Sequence, residues 1–212
     1  MAKSTVYRIL STLVHNGFVI KDSTTNKYRL SARLLYFGHA VLSQYPFHRH
    51  AQPILHKLAH QTKEAAHLYV LHGTEIVCIG KVEGKHPDPS AAYIGWKGPA
   101  HLTAGQAILA YSPSPAFPPT LLPKLAKVKE QGMAISRGED REGLMAIAAP
   151  VWNKRDNTVC AAIDISGAVQ RFAPDKISLY SEFVKQAAKE LSEAISSVKE
   201  NRDSLWEVGN QE

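Results

Sequence analysis

Cysteine is scarce in this chain of 212 residues: only Cys78 and Cys160 occur, far apart and each inside an apolar run. That excludes a disulfide framework and suits neutral, buried thiols in a reducing compartment. Long apolar runs are lacking as well. Stretches such as Ala146 to Trp152 fall far short of the ~20 residues that a membrane-spanning helix needs. No apolar leader follows Met1, so no membrane partner and a cytoplasmic location are expected. HExxH, CxxC, GxxxxGK[ST] and GxGxxG do not occur. His56 and His60, at i and i+4 with His48 and His50 upstream, therefore lack the partners that would complete a metal site, and no cofactor is expected. Acidic side chains are nearly absent from the first 50 residues, where Asp22 stands alone against Lys3, Arg8, Lys21, Lys27, Arg29, Arg33 and Arg49. The rest of the chain balances its charges, so the whole excess of +6 sits in the first quarter. A basic module on a neutral body points to a polyanion-binding piece and a separate piece with another task. The plainer alternative is a solvated basic face.

What the chain does contain is clear periodicity. From Ser4 to His15 the apolar residues Val6, Ile9, Leu10, Leu13 and Val14 form the stripe of an amphipathic helix. Ser4 or Thr5 is placed to cap its start, and Gly17 to stop it in a left-handed conformation. The other face carries Lys3, Ser4, Thr5, Tyr7, Arg8, Ser11, Thr12 and His15, all able to donate to a phosphate or a base edge. Two β-type runs follow, Phe18-Val19-Ile20 and Tyr28-Arg29-Leu30, joined by a turn-rich stretch and bearing Lys21, Lys27 and Arg29. Helix then hairpin reads as the second half of a winged helix-turn-helix, with the helix in the major groove and the wing on the backbone. Two supporting helices would be expected before it. Leaving five aliphatic side chains uncovered forfeits about 8–15 kcal/mol, so either the biological start lies upstream or the helix finds other cover.

Ser31 to about Gln44 reads as a helix with Leu34, Leu35, Gly38, Val41 and Leu42 on one side. Pro53 is expected to open a further helix through Ile54, Leu55, Leu58 and Ala59. His67–Leu71 and Ile76–Ile79 read as a β-hairpin, and a small-residue helix is expected from about Thr103 to Tyr111. Five prolines between residues 112 and 123 demand at first a surface loop. Ala146–Trp152 and Thr158–Ile165 read as a second hairpin, and Pro174 opens a long final helix. Strand pairs with segregated helices indicate an α+β fold with an antiparallel sheet.

Pro99-Ala100-His101-Leu102-Thr103-Ala104-Gly105 ends where a helix begins, so the free amides near Ala104, Gly105 and Gln106 form a natural anion site. Alternatively Thr103 merely caps that helix. Ala162, Asp164 and Ser166 share one strand face at period two, although Asp164 could equally serve a turn beside Ser166-Gly167.

Four blocks in one order carry a resemblance: Lys3-Ser4-Thr5-Val6-Tyr7-Arg8-Ile9-Leu10 with its wing and Ser31-Ala32-Arg33-Leu34-Leu35, the Pro99–Gly105 stretch, Gly143–Val151, and Ile165-Ser166-Gly167. Together they resemble the IclR family of bacterial transcription regulators. The resemblance implies a partial winged helix-turn-helix over 1–30 and a linker helix over 31–50 that helps to pair subunits. It further implies a GAF-like effector-binding domain over 51–200 and a tail over 201–212. The implied contacts to operator DNA are Lys3, Ser4, Thr5, Tyr7, Arg8, Lys27 and Arg29. Those to a small organic effector are the hydroxyl of Thr103 and the amides of Ala104 and Gly105, with Leu144, Ala146, Asp164 and Ser166. A homodimer or homotetramer without enzymatic activity follows from the same likeness. The chain departs from the family in three places: the stretch after Thr103 is one residue short, Gln106 replaces a common basic residue, and the acid stands at Asp164 rather than at Ser136. An ionised Asp164 repels a carboxylate unless another group pairs it, which leaves the charge of the ligand open. A stand-alone small-molecule sensor or dimerisation partner without DNA binding is the alternative, and a small hydrolase or transferase using His101 or a cysteine is a third.

Overall fold

The computed structural model describes residues 2–45, 47–112 and 118–197, which fall into two compact units that divide at residues 45 and 46. The expected tail over 201–212 lies outside the described residues.

The first unit holds α1 (Lys3–His15), a two-stranded ribbon of β1 (Val19–Lys21) and β2 (Tyr28–Leu30), and α2 (Leu34–Ser43). Helix α1 starts two residues earlier than a Ser4 cap, and three earlier than a Thr5 cap, would allow. Ala2 stands at its N-cap, and the Ala2 carbonyl receives the amides of Thr5 (3.1 Å) and Val6 (3.2 Å), so no side-chain cap is used. At the other end Gly17 takes φ +73°, which lets its amide reach the Val14 carbonyl and that of Phe18 reach Leu13 (both 2.9 Å). The apolar stripe is partly covered: Leu10, Leu13 and Val14 are half-buried, whereas Val6 and Ile9 remain exposed. Asp22 shapes the wing turn by accepting the amides of Thr25 (2.7 Å) and Thr24 (2.9 Å). Helix α2 is tied to this unit by Phe37 packed edge-on to Phe18 (5.6 Å) and by Arg33, which donates to the Asn16 carbonyl (2.8 Å).

The second unit is built on a six-stranded antiparallel sheet of order β5-β4-β3-β8-β7-β6. Its strands are β3 (Ala65–His72), β4 (Glu75–Val82), β5 (Lys97–Pro99), β6 (Ala134–Arg137), β7 (Leu144–Asn153) and β8 (Thr158–Ala168). Helices α3 (His48–Thr62) and α6 (Pro174–Ser197) cover one face, while α4 (Thr103–Leu109) and α5 (Leu122–Gln131) serve the other. With both faces covered, β7 and β8 bury nearly every position, which is why they read as continuous apolar runs. Met145, Ile147, Ile163 and Ile165 turn to one face. Ala148 and Ala162 face the other and join Ala104, Ala107, Ile108, Leu125 and Val128 in its core.

Pro53 does not open α3, which begins five residues earlier and carries the proline inside. Burial of Phe47 and Ala51, whose amide bonds to the Phe47 carbonyl (2.9 Å), sustains the extra turn. Helix α5 begins at Leu122, at the end of the proline-rich stretch whose first part was read as a loop. Its Pro123 sits in the first turn, where a missing N–H is harmless.

Candidate functional site

In the first unit Lys3, Ser4, Tyr7 and Arg8 are exposed on α1, and Thr5 is half-buried. On the ribbon, Lys27 and Arg29 are also exposed, and Lys21 lies 6.0 Å from the centre of the Tyr28 ring. The basic and hydroxyl groups are thus available on a helix and on a turn, and among the described residues Asp22 is the only acid in that unit. Its carboxyl is held below the usual range by the Thr25 and Thr24 amides.

The second unit encloses a cavity of about 320 Å³ between the sheet and α4. The pairing register explains its floor. Ala148, Asp164, His67 and Lys81 lie side by side across β7, β8, β3 and β4, and Ser136, Ala146 and Ser166 form the neighbouring row. Side chains in one row point to one face, so alternation on four strands delivers a polar patch into a core that is otherwise apolar. Apolar walls come from Tyr69, Ile76, Trp96, Leu102 and Leu144, while Ser90 and Ala92 close a side from the β4–β5 connection. A wider open groove of about 720 Å³ runs along the outside of that connection past Tyr93 and Ile94. Buried Asp164 and Ser166 line the cavity, while Asp88 and Lys81 line the groove on the other side of the same connection.

Behind the floor residues Asp164 and Ser166 lies a tight charge cluster. Fully buried His67 places Nδ1 2.8 Å from Asp164 and Nε2 3.2 Å from Asp88. Asp88 also meets Lys81 (3.0 Å) and accepts hydrogen bonds from the hydroxyls of Ser90 (2.6 Å) and Ser166 (3.1 Å). Burial disfavours a charged imidazole, but the two facing carboxylates outweigh it and raise the His67 pKa to about 9. Burial likewise opposes ionisation of Asp88, yet His67, Ser90 and Lys81 hold it well below the usual carboxylate range. Burial pushes the Asp164 carboxyl up against the downward pull of His67. With His67 and Lys81 cationic, the two aspartates are paired and the floor is close to neutral.

At the start of α4, Asp140 accepts both the Thr103 amide (3.0 Å) and the Thr103 hydroxyl (2.5 Å). Next to it Glu139 accepts the Ser136 hydroxyl (3.1 Å) and the Arg137 amide. Both acids lie between Gly138 and Gly143, whose φ values of +93° and +75° let the short β6–β7 connection fold back over the strands. The thiols are poor nucleophiles. Burial pushes Cys78 up to about 12 and Cys160 up to about 11. Among the described residues no group of three or more His, Cys, Asp or Glu is placed to hold a metal ion.

Comparison with known proteins decides the family. The model for the bacterial transcriptional regulator IclR C-terminal domain matches residues 39–117 and 115–193, and that for the IclR helix-turn-helix domain matches residues 1–23. This chain belongs to the IclR family of bacterial transcription regulators. The HTH-type transcriptional regulator XynR of Escherichia coli is 31% identical, the match covering 92% of this chain and 85% of XynR. The HTH-type transcriptional regulator KdgR of the same organism is 32% identical over 91% of this chain and 80% of its own length. The crystal structure of the Thermotoga maritima IclR protein aligns with a TM-score of 0.77 at 28% identity, covering 92% of this chain and 87% of that one. These relatives are regulators and not enzymes, and the IclR helix-turn-helix match falls on the basic module.

Within the IclR body, Ala104, Leu144, Ala146, Asp164 and Ser166 of the expected effector set all line the one cavity. Thr103 reaches it through Asp140, and Gly105 packs instead on the Ala100 backbone. Sequence reasoning missed His67, Lys81, Asp88, Ser90 and Asp140. Period two would have placed His67 on the face of Tyr69. Nothing local tells that residues 88 and 140 return to that face.

Proposed function

We propose that the cavity of the C-terminal unit binds a small organic effector, and that its occupancy modulates binding of operator DNA by the Lys3, Ser4, Thr5, Tyr7 and Arg8 face of α1 together with Lys27 and Arg29 of the wing. The working location is the cytoplasm, where such DNA lies. One observation carries this reading: an enclosed hollow in an IclR C-terminal domain gathers side chains from four strands, α4 and two connections around buried charges, the form that a small-molecule site takes. Thr103, Ala104, Leu144, Ala146, Asp164 and Ser166 are the proposed effector residues, with Gly105 shaping the start of α4. Pairing of Asp164 by His67 removes the repulsion that an isolated carboxylate would exert on an acidic ligand.

The test couples the two halves. Operator fragments are titrated with protein at several salt concentrations, with and without a metabolite panel, and metabolite binding is followed by calorimetry. A bound metabolite is expected to shift operator affinity, and Leu144→Ala or Ser166→Ala to weaken that metabolite by about 1–3 kcal/mol. Arg8→Ala is expected to weaken DNA binding and flatten its salt dependence while leaving the metabolite affinity alone. A metabolite held equally well by both cavity variants rejects the site.

A further inference from the structure

The β4–β5 connection, residues 83–96, stands between the enclosed cavity and the open groove. Ser90, Ala91 and Ala92 line the cavity, while Asp88, Tyr93 and Ile94 line the groove. Both ends of the connection are pinned by backbone. At the entry the Lys85 amide donates to the Lys63 carbonyl (2.9 Å), and Gly84 lies so close to Lys63 and Glu64 that a Cβ would run into their backbone. At the exit the Gly95 amide donates to the Cys78 carbonyl (2.7 Å), and the Cys78 amide to the Trp96 carbonyl (2.8 Å). Between these pins apolar burial is slight: Ala92 alone is buried outright from 86 to 94, and Tyr93 and Ile94 are exposed.

Polar contacts hold the middle instead. The Asp88 side chain, 2% exposed, reaches from the connection to His67 (3.2 Å), Lys81 (3.0 Å) and the Ser166 hydroxyl (3.1 Å). Lys81 donates to the Ala92 carbonyl (2.6 Å), Arg141 of the β6–β7 connection to that of Pro89 (2.7 Å), and Arg171 to that of Pro87 (3.5 Å). Ala91 is kept at φ +55°, a left-handed conformation that a Cβ disfavours, so the shut form is maintained against local strain. A segment with fixed ends, little apolar burial and a polar middle opens as a local unit, at a free energy below that of global unfolding.

We propose that residues 86–94 are a strap that opens as one unit, that Asp88 is the latch keeping it shut, and that a ligand enters the cavity through the released strap. The proposal rests on the cavity being the effector site. An occupant touches Ser90, Ala91 and Ala92 from within and thereby favours the shut form, so the outward Tyr93 and Ile94 are held more firmly in the occupied protein.

Hydrogen exchange followed by mass spectrometry on the unliganded full chain tests the latch. Asp88→Asn keeps the shape but loses the charge facing Lys81 and His67, and peptides covering 86–94 are expected to exchange about ten-fold faster while those of β7 and β8 keep their rates. Arg141→Ala, which removes an exposed side chain bonded to the Pro89 carbonyl, is expected to give a smaller rise of about three-fold. A thiol placed on the cavity floor by Ala146→Cys tests the route. Its labelling by methyl methanethiosulfonate, located by peptide mass, is expected to quicken by the same factors when either substitution is added. Strap exchange equal to wild type in both variants overturns the latch, as does a rise shared by β7 and β8 in both, which marks general loosening. Labelling at residue 146 that ignores both substitutions overturns the strap as the way in. Those results leave the effector site standing; that site fails separately, when the metabolite panel finds no ligand whose binding Ala146→Leu abolishes.

Discussion

Burying a charged imidazole between two carboxylates strips hydration from three groups, so the arrangement persists only while every member is ionised and paired. His67 and Asp88 meet that condition, with Lys81 supplying the second cation, while burial works against ionisation of Asp164. Because the His67 pKa is raised in the folded protein from 6.5 to about 9, its contribution is complete below about pH 6.5 and is lost as pH climbs through 9. The span corresponds to about 3 kcal/mol. Thermal midpoints measured from pH 6 to 10 are expected to fall across that window in the wild type and to flatten in His67→Gln. Parallel profiles would show that the pair gives no such linkage. A second ion pair serves the fold and not the cavity. Glu64, only 2% exposed, accepts from two of the three guanidinium nitrogens of Arg171, Nε (2.6 Å) and Nη2 (2.5 Å). Arg171→Ala leaves that carboxylate buried and alone, so urea unfolding is expected to show a loss of about 3–5 kcal/mol. Asp164 and Ser166 were readable as neighbours on one sheet face because alternation along one strand suffices to place them there. Asp88 and Asp140 were not, since each acts only once a loop has closed over strands distant in sequence.

Elements differ in how they announce themselves. Strands β7 and β8 were visible as apolar runs because helices cover both sheet faces, and α1 and α6 were visible as stripes. Strand β6 went unread because it reverses the usual sign, burying Ser136 and exposing Ile135, and its edge position allows so short a segment. The α3 start was misread because tertiary burial of Phe47 and Ala51 outweighs the preference of proline for a first turn. Helix α4 was legible in position but not in its constraint. A Cβ on Gly105 would run into the backbone of Ala100, which cannot swing aside as a side chain could. Gly105→Ala is accordingly expected to cost about 1–3 kcal/mol in denaturant unfolding and to weaken any cavity ligand through displacement of Thr103 and Ala104. A neutral outcome would mean that the Ala100 segment yields freely. Gly132, whose Cβ would meet nothing within 4 Å but whose φ is +70°, is the contrasting control for pure backbone strain.

At the scale of the molecule, the charge division and the exposed stripe of α2 bear on the same question. Leu35 is 76% and Tyr36 73% exposed, with Val41 also open, on a helix of 10 residues that no side chain caps. So short a helix is unstable in water by itself, and Phe18 and Arg33 anchor only one side of it. A second copy of the same helix across a two-fold axis is the simplest further cover, since one patch then satisfies itself. Pairing there would also set two basic modules at a fixed separation, tying subunit association to a two-fold operator. Multi-angle light scattering at micromolar concentration is expected to give at least a dimer for the wild type and a lower mass for Leu35→Glu, with cavity binding retained because that substitution lies in the other unit. Leu179, which is exposed on α6, serves as the control: Leu179→Glu should leave the mass unchanged if α2 is the pairing surface. A monomeric wild type, or a Leu35→Glu variant of unaltered mass, would assign the stripe to something other than a second copy and would leave half-site spacing to be set elsewhere in the chain.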